Sequence, residues 1–219
     1  MQIVTIANAK GGTCKTTTTA LLAVRAMQAG RRVVMVDLNA DQANLLMWWL
    51  TRGEPYNPYL EREITNITRD LRAMGASGRF DFCLIDTPPL DMDVIENCVV
   101  IADAVIVPVR TSIFDVGSVD PVVEMCKEHH KPFSFLMAAV DTRFKPLNAE
   151  ALAALVTEGP VFSTRISYRL PYINALSAGK TGHEIDKSLK AEADSLWTEL
   201  QALMAKSPTP AVRGRAAHG

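Results

Sequence analysis

Short apolar runs alternate with amphipathic segments along the chain. The apolar, often β-branched runs predict buried strands at 2–7, 33–37, 81–86, 103–109, 132–140 and 161–166. Apolar residues at helical spacing predict helices over 16–29, 41–50, 64–74, 116–129, 148–157 and 189–205. Strands that are apolar throughout and alternate with helices are typical of a parallel sheet covered on both faces. The pattern therefore predicts an α/β fold with a mostly parallel, doubly wound sheet.

Length and composition favour one domain with a short tail. A chain of 219 residues with 48% hydrophobic and 21% charged residues has the composition of one substantial globular domain, which we place at 1–205. The remaining segment 206–219 reads KSPTPAVRGRAAHG and predicts a disordered tail. Its two prolines, and its lack of leucine and aromatic residues, argue against an amphipathic membrane anchor. A glycine and two prolines predict a loop over 52–58.

Charge and cysteine usage restrict the class of protein. The net charge of −1 gives no global attraction to nucleic acid or membrane, so such binding would need a local patch. The four cysteines form no C-x-x-C pair, and no apolar run approaches a membrane span, which favours a cytoplasmic protein. Cys126 falls in the predicted helix over 116–129, and we expect Cys98 to lie in a helical segment as well. Neither thiol would then lie in a loop that could hold an iron–sulfur cluster, which disfavours such a cluster.

A glycine-containing turn between the first strand and the first helix carries the clearest chemistry. Residues 8–17 read NAKGGTCKTT. Backbone N–H groups at the start of a helix, together with the positive end of its dipole, form a cradle for phosphate. Lys15 is placed to reach the β/γ-phosphates, and the Thr16 hydroxyl to ligate Mg²⁺. The sequence therefore predicts a nucleotide-phosphate site, and with it a sheet of the P-loop NTPase type.

The motif departs from the strict pattern G-x-x-x-x-G-K-[ST], because Ala9 and Cys14 replace its glycines. With Lys10 ahead of the glycine pair, it resembles the ParA/MinD family of deviant Walker-A ATPases. The resemblance implies ATP and Mg²⁺ as cofactors, and a Lys10 that crosses an ATP-sandwiched homodimer to the partner's phosphates. The cofactor-binding residues it implies are Lys10, Gly11, Gly12, Thr13, Cys14, Lys15, Thr16 and Thr17. Cys14 adds a Cβ where the family has glycine, so we expect weaker nucleotide binding.

Two carboxylates end neighbouring strands. Asp86, followed by Thr-Pro-Pro, resembles the family's second switch acid, and Asp37 resembles the first acid of its D-x-D switch. The resemblance implies that Thr16, Asp37 and Asp86 surround the metal. Asn39 occupies the position of the catalytic carboxylate, and an amide cannot accept a proton from water. We therefore expect slow hydrolysis, with Asp41 as the substitute acid if the loop allows it.

The resemblance extends to about residue 205 and is closest to the short ParA-type partition ATPases. The segments 107–115 and 165–180 carry it beyond the P-loop. Such proteins hold nucleoid DNA without sequence preference through basic residues of their C-terminal half. The DNA-binding residues that the resemblance implies are Arg165, Arg169, Lys180, Lys187 and Lys190, acting on phosphates. A solvated helix face is the alternative interpretation of these charges.

The resemblance thus implies a weak ATP hydrolase that segregates or positions a plasmid, other DNA or another cargo. The resemblance implies ATP-dependent dimerisation, non-specific DNA binding, a nucleoid-associated cytoplasmic location, and a ParB-like or adaptor protein that stimulates hydrolysis. No membrane partner is expected. Lys10, Lys15, Asn39, Asp41 and Asp86 would carry catalysis. Two alternatives stay open: a nucleotide-dependent binding switch with negligible turnover, and a metabolic P-loop synthetase or kinase.

Overall fold

A seven-stranded sheet forms the centre of the molecule. The structure is a computed structural model that describes residues 1–39, 42–111 and 120–206. Its strands run in the order β3-β2-β4-β1-β5-β6-β7, and every pairing between them is parallel. Their bounds are β1 Gln2–Ile6, β2 Val33–Asp37, β3 Tyr59–Glu61, β4 Phe82–Asp86, β5 Ala104–Val109, β6 Phe133–Val140 and β7 Val161–Ser167.

Helices connect successive strands, as parallel pairing requires. In the described residues they are α1 Lys15–Gln28, α2 Asn44–Thr51, α3 Ile67–Ala76, α4 Met92–Ile101, α5 Asp120–Glu128, α6 Lys145–Glu158, α7 Leu170–Ser177, α8 Gly182–Ile185 and α9 Lys190–Met204, with a 3₁₀ turn at Lys187–Leu189. Each of these helices is either too short or too polar to span a bilayer.

Both faces of the sheet are buried. Alternate residues of β2 point to opposite sides: Val33 and Met35 pack with α1 and α9, whereas Val34 and Val36 pack with α3 and α4. On the first side, the ring of Trp197 in α9 meets Phe82 edge-on at a centroid distance of 5.3 Å. Burial on both faces explains why the strands read as continuous apolar runs rather than as alternating ones.

The strand register brings the carboxyl ends of β1, β2 and β4 to one edge of the sheet. Ile6 lies opposite Asp86, and Asp86 lies opposite Asp37 in the neighbouring strand. Ligands of open parallel sheets bind beyond the carboxyl ends of the strands, so this edge is where a site is expected.

The predicted fold class is confirmed, and the sheet is parallel throughout rather than mostly so. Four elements were not predicted with bounds of their own: β3, α4, α7 and α8. β3 has only three residues and pairs at the edge of the sheet, so it leaves almost no periodic signal. The predicted helices over 41–50 and 116–129 begin, within the described part of the chain, at Asn44 and Asp120. The predicted tail lies outside the described residues apart from Lys206.

Candidate nucleotide site

The loop between β1 and α1 forms an open cradle at the carboxyl edge of the sheet. Gly12 and Cys14 have left-handed backbones, with φ of 71° and 69°. A Cβ built on Gly11 or Gly12 would meet no atom within 4 Å, so the space beside the loop is free for a ligand. Buried Asn8 fixes the loop, because its Nδ2 donates to the Pro108 carbonyl at 2.9 Å and its Oδ1 accepts from the Lys10 N–H at 2.8 Å.

The Lys15 ammonium is held inside this loop. Its Nζ donates to the carbonyl oxygens of Asn8 at 3.0 Å and Lys10 at 2.9 Å. Burial lowers the pKa of Lys15, and the nearby Asp86 carboxylate opposes that effect. An ammonium has three donors, so these two bonds leave one for a phosphate oxygen. The predicted phosphate lysine thus lies at the base of the cradle.

Thr16 and Asp86 form the candidate metal site. The Thr16 hydroxyl donates to Asp86 Oδ2 at 2.6 Å, and within the described part of the chain the buried Oδ1 has no hydrogen-bond partner. Burial raises the pKa of Asp86 to about 7; the Asp37 carboxylate also raises it, whereas the Thr16 hydroxyl and Lys15 lower it. A buried, unpartnered carboxylate oxygen is unfavourable without a cation or water. Hydroxyl and carboxylate oxygens are ligands that suit Mg²⁺, so these residues fit the ion.

Asp37 organises the start of α2. Its Oδ1 accepts from the Asn39 N–H at 3.0 Å and its Oδ2 accepts from the Leu46 N–H at 3.1 Å. Burial raises the pKa of Asp37, and these backbone N–H groups counteract the rise. Both carboxylate oxygens thus act on the protein backbone, as in a helix cap. The role of Asp37 beside the metal stays a prediction.

Asn39 is buried next to the P-loop. Its Nδ2 donates to Gln42 Oε1 at 3.4 Å, which is a long contact, and its side chain lines the same cavity as Lys15 and Thr16. Asp41, the substitute acid considered from the sequence, lies outside the described residues. The structure therefore brings Asn39 to the phosphate region and leaves the identity of the water-orienting group a prediction.

We assign two adjoining cavities to the site. The phosphate cavity, of about 230 Å³, is lined by Gly11, Gly12, Thr13, Cys14, Lys15, Thr16, Thr17, Asn39, Gln42, Asn44, Pro89 and Arg110. The second, of about 290 Å³, has a largely apolar wall and is lined by Cys14, Thr17, Arg110, Ala139, Ile166, Ser167, Tyr168, Arg169, Tyr172, Ile173 and Leu176. Because apolar pockets suit planar rings, we call it the base cavity.

Sequence reasoning included Arg110 in the segment 107–115 without assigning it a role, and it assigned a role to only three residues of the base cavity, namely Cys14, Thr17 and Arg169. The cavity is built by the ends of β6 and β7 and by the unpredicted helix α7, so no local motif marks it. Arg110 directly follows the last residue of β5. The rule that sites form where parallel strands end could have drawn attention to it.

The five predicted DNA-binding cations are all exposed and lie between β7 and the first turn of α9. Among the residues that the structure describes, two of these cations have side-chain partners. Lys190 forms an ion pair with Asp194, which also binds Arg25, and Arg169 Nη1 donates to Ser188 Oγ at 3.1 Å. Arg169 also lines the base cavity. These partners hold the cations in place, and DNA contact stays a prediction.

Comparison with known proteins identifies related chains. A family model described as the CobQ/CobB/MinD/ParA nucleotide binding domain matches residues 4–182. The Maintenance of carboxysome distribution protein A of Halothiobacillus neapolitanus is 29% identical over 201 residues, which cover 87% of this chain and 91% of that protein.

Solved structures share the fold at low sequence identity. The MinD of an Aquifex aeolicus MinC:MinD cell division complex superposes with a TM-score of 0.74 at 17% identity, covering 96% of this chain and 98% of that one. A Cyanothece McdA–ATP complex gives a TM-score of 0.70 at 20% identity, with coverage of 92% and 96%. The Pyrococcus horikoshii septum site-determining protein MinD with Mg-ADP gives 0.70 at 18% identity, with coverage of 95% and 99%.

Proposed function

The chain belongs to the CobQ/CobB/MinD/ParA nucleotide-binding family, and from that membership we propose that it is a ParA-type ATPase that positions or segregates a cargo. Its cofactors are ATP and Mg²⁺. The observation that supports this most is the Thr16–Asp86 pair: the Oδ1 of Asp86 has no hydrogen-bond partner among the described residues, and it lies in the same site as Lys15 and the open loop. Together, Lys15 and the loop supply donors for the phosphates, and the Thr16–Asp86 pair supplies oxygen ligands for the magnesium ion.

Each residue at the cradle has a separate task. The loop N–H groups and the Lys15 ammonium bind the β- and γ-phosphates, and Thr16 with Asp86 holds the metal. When bound, Mg²⁺ neutralises charge that develops on the phosphate oxygens. Asn39 hydrogen-bonds the attacking water but cannot take its proton, so hydrolysis is slow and depends on a stimulating partner.

Lys10 would allow the bound nucleotide to join two subunits. Its backbone is held by Asn8, and its side chain is half-buried at the rim of the loop. We assign it to the phosphates of a second subunit, so that ATP brings two copies together. The dimer then displays the five cations of the C-terminal half to DNA, and hydrolysis releases both.

The cargo follows from the relatives. Since the Halothiobacillus relative maintains carboxysome distribution, we propose that this protein distributes a cargo over the nucleoid in the cytoplasm, with an adaptor or ParB-like protein as its activator. A protein assembly or a plasmid would serve equally as that cargo.

Steady-state phosphate release tests the proposal. We expect slow ATP-dependent release that rises when DNA and the activator encoded nearby are added together, and no release by Lys15→Ala. The exposed Lys145→Ala serves as the control. ATP binding without release under any condition would instead support a binding switch with negligible turnover. If turnover requires a small-molecule acceptor, and if Lys10→Ala leaves its rate unchanged, the protein would instead be a metabolic synthetase or kinase.

A further inference from the structure

Arg110 lies where the two cavities meet. The phosphate cavity and the base cavity share three lining residues, namely Cys14, Thr17 and Arg110. Of these, only Arg110 carries a charge. It extends from the end of β5, and its side chain is exposed to solvent.

The guanidinium is available to a ligand. Cys14 lines both cavities with it, and the guanidinium partly offsets the rise that burial causes in the pKa of the Cys14 thiol. Among the described residues, none of the ion pairs includes Arg110. A neutral thiol is a weak acceptor, so Cys14 competes little with a phosphate oxygen for the guanidinium donors.

The order of base, ribose and phosphates in a nucleotide determines which of these groups lies beside Arg110. The loop and Lys15 take the β- and γ-phosphates, and the base cavity takes the ring. The ribose and the α-phosphate must then pass the residues that both cavities share. A guanidinium offers five donors in a planar fork, which suits the tetrahedral oxygens of a phosphate better than it suits a sugar.

We propose that Arg110 binds the α-phosphate of the nucleotide, from its place at the junction of the phosphate and base cavities. This inference rests on the proposed function, because it presupposes a nucleotide in the site. It has a distinct consequence: Arg110 strengthens the binding of every nucleotide from the monophosphate to the triphosphate, and contributes nothing to the binding of the nucleoside.

The test measures the dissociation constants of ATP, ADP, AMP and adenosine by displacement of a fluorescent adenine nucleotide. Wild-type protein is compared with Arg110→Gln, Arg110→Lys and, as the matched control, Arg72→Gln, which changes an exposed arginine of α3 outside both cavities. A charge-assisted hydrogen bond predicts that Arg110→Gln weakens ATP, ADP and AMP alike by about tenfold to a hundredfold. Arg110→Lys should recover part of the loss, Arg72→Gln should change nothing, and adenosine should bind all variants equally.

Several outcomes would overturn the inference. Unchanged affinities in Arg110→Gln, or a loss confined to ATP and ADP, would remove Arg110 from the α-phosphate. An equal loss for adenosine would place it on the base or ribose instead. These outcomes leave the proposed function intact, since wild-type protein would still bind ATP. A wild-type protein that bound none of the nucleotides would overturn both together.

Discussion

Cys14 holds a backbone conformation that its side chain disfavours. Its φ of 69° lies in the left-handed region, where the Cβ of an L-residue comes close to the following carbonyl. Its carbonyl nonetheless accepts both the N–H and the hydroxyl of Thr18, so the first turn of α1 depends on this geometry. The P-loop therefore imposes its shape on a residue that does not favour it.

Cys14→Gly should accordingly stabilise the protein. We expect the free energy of unfolding in urea to rise by about 1 kcal/mol, because glycine adopts this φ without a Cβ penalty. ATP binding should tighten as well, through a relaxed loop. Cys14→Ala is the control, since it removes the sulfur and keeps the Cβ. Equal gains from Ala and Gly would attribute the effect to the thiol rather than to the backbone.

The role proposed for Asn39 concerns the chemical step of ATP hydrolysis. Its amide lines the phosphate cavity where the resemblance expects a carboxylate, so Asn39→Asp should raise the rate of ATP hydrolysis. A positioned general base can contribute far more, but about tenfold is a realistic gain for a slow ATPase. The measurement is phosphate release at saturating ATP. If Asn39→Asp leaves the rate unchanged while Asp41→Ala abolishes it, the catalytic acid is Asp41 and the alignment of this switch is wrong.

At the scale of elements, α2 connects the nucleotide edge to the C-terminal half. Asp37 fixes its first turn through the Leu46 N–H. At its other end, Trp48 Nε1 donates to the Lys180 carbonyl at 2.9 Å, and Arg52 donates to the Gly179 carbonyl at 2.9 Å. Arg52 also forms an ion pair with Glu184 of α8 at 2.8 Å. The segment that carries the predicted DNA-binding residues is thus tied to the switch region by one helix.

Gly179 allows this close approach. A Cβ on Gly179 would lie 2.4 Å from the Arg52 backbone nitrogen, whereas a Cβ on Gly78 would meet nothing within 4 Å. The two glycines have nearly the same φ, 65° and 66°. Gly179→Ala should therefore destabilise the protein by about 2 kcal/mol more than Gly78→Ala, the difference being the steric clash alone. Urea unfolding measures both, and equal losses would refute the packing of α2 against this loop.

At the scale of the molecule, the features that could be predicted are those that depend on neighbouring residues in the sequence. Continuous apolar runs revealed six of the seven strands, since burial on both faces leaves no alternation. The P-loop motif, a glycine pair followed by Lys15 and Thr16, located the phosphate cradle. The hydrogen bond between Thr16 and Asp86 joins residues that are seventy positions apart, and it forms only because β1 and β4 pair in this register. The base cavity, Arg110 and the capping role of Asp37 depend on such non-local packing, which no motif records.

The stability of the whole fold should depend on pH through His183. This buried imidazole contacts Gln28 Oε1 of α1 at 3.2 Å and Thr181 Oγ1 at 3.1 Å. Burial lowers its pKa below the usual value of about 6.5. Folding therefore favours the neutral ring, and its stabilising effect is present above about pH 6.5 and lost as the pH falls through the folded-state pKa. Thermal unfolding between pH 7.5 and 5 should show this loss, and His183→Gln should reduce it.

Exposed His130 provides the matched control for that experiment. His130→Gln should leave the pH dependence of the unfolding temperature as it is in the wild-type protein. A wild-type profile that stays flat from pH 7.5 to 5, or one that His183→Gln does not alter, would contradict the assignment of a buried neutral imidazole.

The central claim, that this protein is a switch driven by ATP across two subunits, is tested most directly by sedimentation velocity. With Mg²⁺ present, wild-type protein should sediment as a dimer in ATP and as a monomer in ADP. Lys10→Ala should bind ADP normally yet stay monomeric in ATP, because it lacks the cation for the partner's phosphates. The same association state in ATP and ADP for the wild-type protein, or an ATP dimer that survives Lys10→Ala, would contradict the account.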